Sequence, residues 1–228
     1  MAGQTVDHGA PGELDTDAGA RGTLYALLAR TFRPPDDELH TALESGDFAA
    51  EVASLLELTA FDVEPPAFDT IDDDVDTLNA RYHDLFVIGY AEYEDRTDGS
   101  ISTSEPPVPL YESAYRTDVS WNDVNLDLAR VYDYYDIEVD TETRDHHDYL
   151  PLVLEFAGYL ARREAAVDDS AARSRLDLLD RHLRVLVEGI ADRMATEPGT
   201  ETYGELVALL DAVTGADRAD LADRLEVA

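Results

Sequence analysis

The amino-acid sequence predicts an all-α protein, a single-domain helical bundle of seven to nine helices. Apolar residues recur at spacings of three and four along most of the 228 residues, as they do on one face of a helix. No stretch shows the apolar–polar alternation of a half-buried strand, and no repeat of solenoid length is present. The length suits one domain, and the long connections favour an irregular bundle over a symmetric four-helix arrangement.

The two ends of the chain are predicted to lie outside this bundle. Residues 1–20 are rich in Gly, Ala, Asp and Thr, and we expect a disordered tail there. They contain neither the apolar segment nor the arginine pair of an export signal, which indicates a cytoplasmic protein. The helical domain is predicted over residues 21–215, and residues 216–228 are predicted to form a short C-terminal helix or a tail.

The N-terminal half of the domain carries three apolar stripes. Pro34-Pro35 ends the first, because proline cannot continue a helix. Residues 62–76 are predicted to form an acidic linker into the third helix, whose first turn favours carboxylates. The stripes consist of Leu24, Leu28 and Phe32; of Phe48, Val52, Leu55 and Leu56; and of Val75, Leu78, Tyr82, Leu85 and Phe86.

The C-terminal half begins with a predicted long loop at residues 89–110, which hold three prolines and an Asp-Gly pair. A short helix is predicted at residues 112–118, and Gly215 is predicted to end the last long helix. The remaining stripes consist of Val124, Leu128, Val131 and Tyr135; of Leu150, Val153, Leu154, Ala157 and Leu160; of Leu176, Leu179, Leu183, Leu186, Ile190 and Met194; and of Tyr203, Leu206, Val207, Leu210 and Val213.

The charge balance excludes several classes of function. The chain has 51 acidic and 17 basic residues, all of the latter arginine, so its net charge is −34. Such a polyanion would be repelled by nucleic acid and by anionic membranes. The lack of cysteine excludes thiolate catalysis, disulfides and cysteine–zinc sites. At molar salt the Debye length falls to about 3 Å and would screen the self-repulsion, so we interpret the charge as adaptation to a halophilic cytoplasm.

The densest polar cluster lies just before the helix that begins near residue 150. Asp148 is predicted to cap that helix, because its carboxylate can accept from first-turn N–H groups, and Pro151 is tolerated in such a turn. A metal site of His146, His147 and Asp148 is a competing interpretation. Neighbouring residues on a helix do not face each other, however, and no HExxH pattern is present. A recognition site at this loop–helix junction is the third interpretation.

Aromatic residues mark two further clusters. The three prolines of residues 105–115 favour an extended chain and lower the entropy cost of presenting Tyr111 and Tyr115. These tyrosines either pin the loop in the core or form an aromatic rim for a bound peptide. Tyr82 and Phe86 share a helical face of the kind that usually packs in a core.

Two isolated residues leave alternatives open. Trp121, the only tryptophan, is interpreted either as a packing residue or as part of a groove. Glu155 lies off its apolar stripe, so it is either buried against an arginine or exposed in a groove.

Three segments match, in order, the motifs of one known family. They are residues 82–86 (Tyr-His-Asp-Leu-Phe), 111–115 (Tyr-Glu-Ser-Ala-Tyr) and 148–156 (Asp-Tyr-Leu-Pro-Leu-Val-Leu-Glu-Phe). They resemble the TorD/DmsD/NarJ family, cytoplasmic chaperones of molybdenum oxidoreductases, whose pattern is Tyr-x-x-Leu-Phe, Tyr-Glu-Ser after prolines, and a Pro-Asp-His loop entering a Leu-Glu-Phe helix. Order and spacing agree over roughly residues 21–215, so the chain resembles a haloarchaeal-type member with a TorD-like fold.

One position departs from the family pattern. Tyr149 stands where the family has histidine if Asp148 is the matching loop aspartate, as the Leu-Glu-Phe spacing favours. Alternatively, Asp145-His146 is the match. Residues 149–155 look most like nitrate-reductase-type members, whereas residues 111–113 look more like the TorD and DMSO-reductase types, so the client stays open.

The resemblance implies binding rather than catalysis. Family members hold the apo catalytic subunit of a molybdopterin oxidoreductase of the DMSO or nitrate reductase type, often by its twin-arginine leader, until the cofactor is inserted. It implies no resident metal or cofactor, and a monomer that could domain-swap. The client-peptide-binding candidates are Tyr82, Phe86, Tyr111, Glu112, Tyr115, Asp148, Tyr149 and Glu155.

Two other functions compete with this one. The first is a metal-dependent enzyme that uses His146, His147, Asp148 and Glu155. The second is an acidic adaptor without a groove, in which the three segments would lie on unrelated faces.

Overall fold

The computed structural model describes residues 15–66, 70–88, 91–93, 101–103, 105–117, 119–139, 146–166 and 170–226. This part of the chain folds as a helical bundle, with a 3₁₀ turn at Glu112–Ala114 and a π-helical segment at Leu179–Leu183. Its nine α-helices are α1 Thr16–Thr31, α2 Asp37–Ser45, α3 Asp47–Leu56, α4 Val75–Phe86, α5 Trp121–Tyr134, α6 Leu150–Ala166, α7 Ser170–Leu178, α8 Arg184–Met194 and α9 Glu201–Glu226. The predicted all-α bundle of seven to nine helices is confirmed.

Aspartate caps begin three of the N-terminal helices. The carboxylates of Asp15, Asp36 and Asp74 accept hydrogen bonds from amides in the first turns of α1, α2 and α4, at 3.2, 2.7 and 2.8 Å. Hydrogen bonds from Thr77 lower the pKa of Asp74 below its ordinary value. Asp74, which belongs to the acidic stretch predicted to lead into the helix of Tyr82, therefore caps that helix, α4.

Helix α1 begins earlier than predicted, so the predicted tail over residues 1–20 is wrong for residues 16–20. Two of the small residues in that stretch, Ala18 and Ala20, are buried in the bundle instead. The next glycine, Gly22, lies against α6. A side chain at Gly22 would come within 3.0 Å of the Gly158 carbonyl oxygen on α6, and the reverse also holds. Only glycine allows these two backbones to approach so closely. Residues 1–14 lie outside the described residues.

Helix α9 continues past Gly215 to Glu226, so neither the predicted helix end nor a separate element over residues 216–226 is present. Asp217 and Leu221, which follow the glycine, are completely buried. Their burial outweighs the roughly 1 kcal/mol that glycine costs inside a helix.

Two local predictions in the middle of the chain are wrong. Within the loop predicted at 89–110, the three-residue strands Ala91–Tyr93 (β1) and Ile101–Thr103 (β2) pair antiparallel. Strands of this length are too short for an alternating pattern to be visible. The helix predicted over residues 112–118 is only the 3₁₀ turn.

The bundle also buries a charged network. Asp217 lies 2.9 Å from Arg21 and 3.1 Å from Arg175, and the Tyr25 hydroxyl donates to it at 2.7 Å. Glu164 lies 2.9 Å from Arg175. Because these side chains come from α1, α6, α7 and α9, the network joins four helices.

None of the helices in the described part of the chain combines the length and apolar character needed to cross a membrane.

Candidate functional site

A cleft of about 500 Å³ opens where four distant segments meet. They are the C-terminal end of α4, the proline-rich segment 105–114, the first residue of α5, and residues 146–149. Of the predicted site residues, Tyr82, Phe86, Tyr111 and Tyr149 line this cleft. Pockets of this size are typical of binding sites. The segments that the sequence singled out are thus brought together.

A single β-bridge sets the back wall of the cleft. Tyr111 pairs antiparallel with Tyr149, because the Leu150 amide donates to the Leu110 carbonyl at 2.8 Å and the Glu112 amide to the Asp148 carbonyl at 3.1 Å. The rings of Tyr111 and Tyr149 stack with their centroids 5.2 Å apart.

The floor of the cleft is a rigid group of aromatic side chains. The hydroxyls of Tyr82 and Tyr149 lie 3.2 Å apart, and both donate to the Phe32 carbonyl, at 3.2 and 3.3 Å. Burial raises the pKa of Tyr82 to about 12, so its hydroxyl is neutral at ordinary pH. The ring centroids of Phe86 and Tyr82 are 5.4 Å apart, and Phe86 is only 4% exposed. Phe86 is therefore a core residue that reaches the cleft at one edge.

The rim of the cleft is apolar and open. Trp121 is 49% exposed and Val87 50% exposed. The His146 ring lies between two aromatic rings, 5.2 Å from Trp121 and 5.9 Å from Tyr111. Glu105 contributes a carboxylate to the lining. An apolar segment with a cationic end would match this arrangement.

Asp148 lies behind the wall rather than in the cleft. Its carboxylate is completely buried and accepts from the Ser113 amide at 2.9 Å, so the predicted cap of α6 is wrong. Helix α6 starts from the Tyr149 carbonyl, which accepts from Leu152 and Val153, while Pro151 has no N–H to cap. Asp148 therefore fastens the Tyr111 segment to the start of α6.

Glu112 is also buried behind the wall, and its partner His182 escaped the sequence analysis. The Glu112 carboxylate accepts from Arg116 at 2.7 Å and lies 2.9 Å from His182 Nδ1. On the other side of the imidazole ring, Nε2 lies 3.2 Å from Asp127 of α5. The sequence signal was a histidine in the apolar stripe beside Leu183, but a stripe does not reveal its distant partner.

Two predicted site residues lie away from the cleft. The Tyr115 hydroxyl donates to the Pro109 carbonyl at 2.8 Å, and its ring packs against Gly189 and the Arg193 guanidinium. Glu155 is half exposed on another face and pairs with Arg33 at 3.0 Å.

The histidine cluster does not converge on a common point. Within the described residues, no group of three His, Cys, Asp or Glu side chains could hold a metal ion. The His147 ring stacks on Tyr132, and His146 lies at the cleft rim.

The chain matches the family described as nitrate reductase delta subunit over residues 41–191. This match covers more than half of the chain, so the protein belongs to that family. The NarJ-type resemblance of the sequence motifs is thereby confirmed, whereas the haloarchaeal origin stays a prediction.

Three relatives have related descriptions. The chain is 31% identical over 136 residues to the selenate reductase assembly chaperone protein of Thauera selenatis and 31% identical over 139 residues to the chlorate reductase assembly chaperone protein of Ideonella dechloratans. Each match spans 57% of this chain and 64% of the relative, less than two thirds of its length. The perchlorate reductase assembly chaperone protein of Dechloromonas aromatica is 22% identical over 206 residues, which span 86% of this chain and 88% of the relative.

Proposed function

We propose that this protein is a cytoplasmic assembly chaperone, not an enzyme, for the catalytic subunit of a molybdopterin oxidoreductase. The observation that carries the proposal is the meeting of Tyr82, Tyr111 and Tyr149 in one aromatic cleft. The proposal is supported by three relatives, whose names describe them as assembly chaperones of selenate, chlorate and perchlorate reductases. The chaperone would hold the apo subunit until its cofactor is inserted.

The cleft fits the apolar face of a peptide, and we infer that it takes the client's twin-arginine leader. Burying one Leu or Phe side chain contributes about 1.5–3 kcal/mol and is not screened by salt. An exposed ion pair contributes at most about 1 kcal/mol, and molar salt reduces that further. The apolar residues of the leader would therefore supply most of the affinity, while Glu105 would orient its arginine pair.

The proposal predicts how single substitutions change peptide affinity. Tyr111→Ala should weaken binding at least tenfold, because it removes the stacked wall, whereas Glu105→Gln should weaken it by about threefold or less. Isothermal titration calorimetry in molar KCl, with a synthetic twin-arginine leader of a molybdopterin reductase from the same genome, measures both effects.

Tyr134→Ala is the matched control, because this tyrosine is 80% exposed and lies outside the cleft. It should leave the affinity unchanged. No binding to the unmodified protein, or an equal loss from Tyr134→Ala and Tyr111→Ala, would contradict the proposed site. A larger loss from Glu105→Gln would mean that charge rather than apolar burial supplies the affinity.

A further inference from the structure

A second cavity, of about 400 Å³, lies between α5 and α7, away from the peptide cleft. Its lining includes Arg130, Arg173, Tyr134, Tyr135 and Ser174. The Tyr135 hydroxyl donates to the Ser174 hydroxyl at 2.6 Å. Tyr134 is the most exposed large apolar side chain in the described residues, at 80%. This cavity of a strongly acidic protein is therefore lined by two basic side chains and an exposed aromatic residue.

Among the described residues, the two arginines of this cavity have no ion-pair or hydrogen-bond partner. Ten arginines in the described residues form ion pairs with carboxylates, and three more donate to a carbonyl or a hydroxyl. Arg130 and Arg173 form neither an ion pair nor a hydrogen bond in the part of the chain that the structure describes. With 51 acidic residues available, two unpaired arginines in one cavity are the exception.

The other ionisable groups of the cavity are already occupied. Asp177 pairs with Arg181 at 3.3 Å, and His182 is held between Glu112 and Asp127. Among the described residues that line the cavity, the charges without an ion-pair partner are therefore those of Arg130 and Arg173. Each guanidinium can bind a phosphate or carboxylate oxygen pair through parallel N–H groups.

We propose that this cavity binds an aromatic phosphate monoester, such as a nucleotide. A phosphate monoester carries about −1.5 to −2 charges at pH 7, which matches two free guanidinium groups better than one carboxylate does. The flat ring of the ligand would stack on Tyr134, because stacked aromatic pairs gain beyond their buried area. The negative field of the whole chain does not forbid this, since molar salt confines electrostatic interactions to about 3 Å.

Calorimetric titrations in molar KCl with AMP, phenyl phosphate, adenosine and inorganic phosphate test this site. AMP or phenyl phosphate should bind at least tenfold more tightly than adenosine or inorganic phosphate. A preference for AMP would identify a nucleotide site, and equal binding of the two would identify a general aromatic phosphate site. No detectable binding of AMP and phenyl phosphate, or equally tight binding of inorganic phosphate, would overturn the proposal.

Variants of the exposed cavity residues complete the test. The two arginine substitutions remove no ion pair or hydrogen bond among the described residues, whereas Tyr134→Ala also removes a ring contact with Tyr135. The double substitution Arg130→Gln and Arg173→Gln should weaken AMP binding at least tenfold, and Tyr134→Ala should weaken it severalfold. Arg30→Gln is the control, because this half-exposed arginine pairs with Asp36 and lies outside the cavity. Unchanged affinity in the double variant would refute the site, whether or not the cleft binds a client peptide.

Discussion

At the residue scale, one hydroxyl under the cleft is in an unfavourable place. Tyr203 is 1% exposed, and the centroid of its ring lies 5.2 Å from that of Phe86 and 6.0 Å from that of Tyr82. Its hydroxyl has no hydrogen-bond partner in the described part of the protein. A buried polar group without a partner costs roughly 1–3 kcal/mol. The aromatic packing of this residue therefore stabilises the floor, while its hydroxyl does not.

We expect Tyr203→Phe to raise the free energy of unfolding by about 1 kcal/mol, because it removes only the unsatisfied hydroxyl. Urea denaturation measures the change. Tyr25→Phe is the matched control and should lower stability, since it removes a 2.7 Å hydrogen bond to the buried Asp217. A loss of stability in Tyr203→Phe would mean that the hydroxyl has a favourable interaction.

The two buried tyrosines of the cleft floor, Tyr82 and Tyr203, should make the folded protein less stable at alkaline pH. Burial raises the pKa of Tyr82 from 10.0 to about 12 and that of Tyr203 still further, so folding favours the neutral phenols. Their contribution to stability is complete below pH 10 and is lost as the pH rises through about 12. Unfolding measured over this range should show falling stability, with a shallower fall in Tyr82→Phe. An identical slope in that variant would contradict the assignment.

At the scale of elements, the last helix is held by charge as well as by apolar packing. Asp217 of α9 is completely buried and contacts Arg21 of α1 and Arg175 of α7. Removing one partner from a buried ion pair costs about 3–5 kcal/mol, because the other charge stays buried without compensation. Because α9 also contains Tyr203, the ion pairs that hold α9 in place also help to hold the cleft floor.

Asp217→Asn should therefore lower the free energy of unfolding by about 3 kcal/mol or more. Asp211 lies on the same helix and pairs with Arg184, but its side chain is 45% exposed. Asp211→Asn should therefore lower the free energy of unfolding by less than about 1 kcal/mol. Denaturant titrations of both variants in the same salt give the comparison. Equal effects at the two positions would show that burial does not govern the network.

At the scale of the whole molecule, the net charge of −34 opposes compaction. Most of the arginines are already paired, so they cannot neutralise the remaining carboxylates. Added salt should screen this repulsion far more than it weakens the buried network, because buried pairs are screened less.

The thermal unfolding midpoint should accordingly rise between low and molar KCl, by about 2–4 °C for each kcal/mol gained. Differential scanning calorimetry measures it. Sucrose of matched osmolality, which favours compact states without screening, separates the two effects. A midpoint that is unchanged or falls with KCl would remove the argument for a halophilic setting.

The helical pattern predicted most of the helices, although not α2, and the motifs marked three of the segments that line the cleft. Apolar periodicity is a local property, so the stripes of α4, α6 and α9 could be recognised without knowledge of their partners. The motifs around Tyr82, Tyr111 and Tyr149 also indicated the family, and the structure places these three residues in one cleft.

The positions of the polar side chains, in contrast, depend on contacts made in the folded protein. Asp148 looked like a helix cap but accepts from the Ser113 amide, and Glu112 looked like a peptide contact but is buried beside His182. Likewise, residues 16–20 were expected in a disordered tail but belong to α1, which Gly22 allows to approach α6 closely. Each outcome depends on a contact between residues far apart in sequence, and the local pattern of a single chain contains no information about which distant partner will be near.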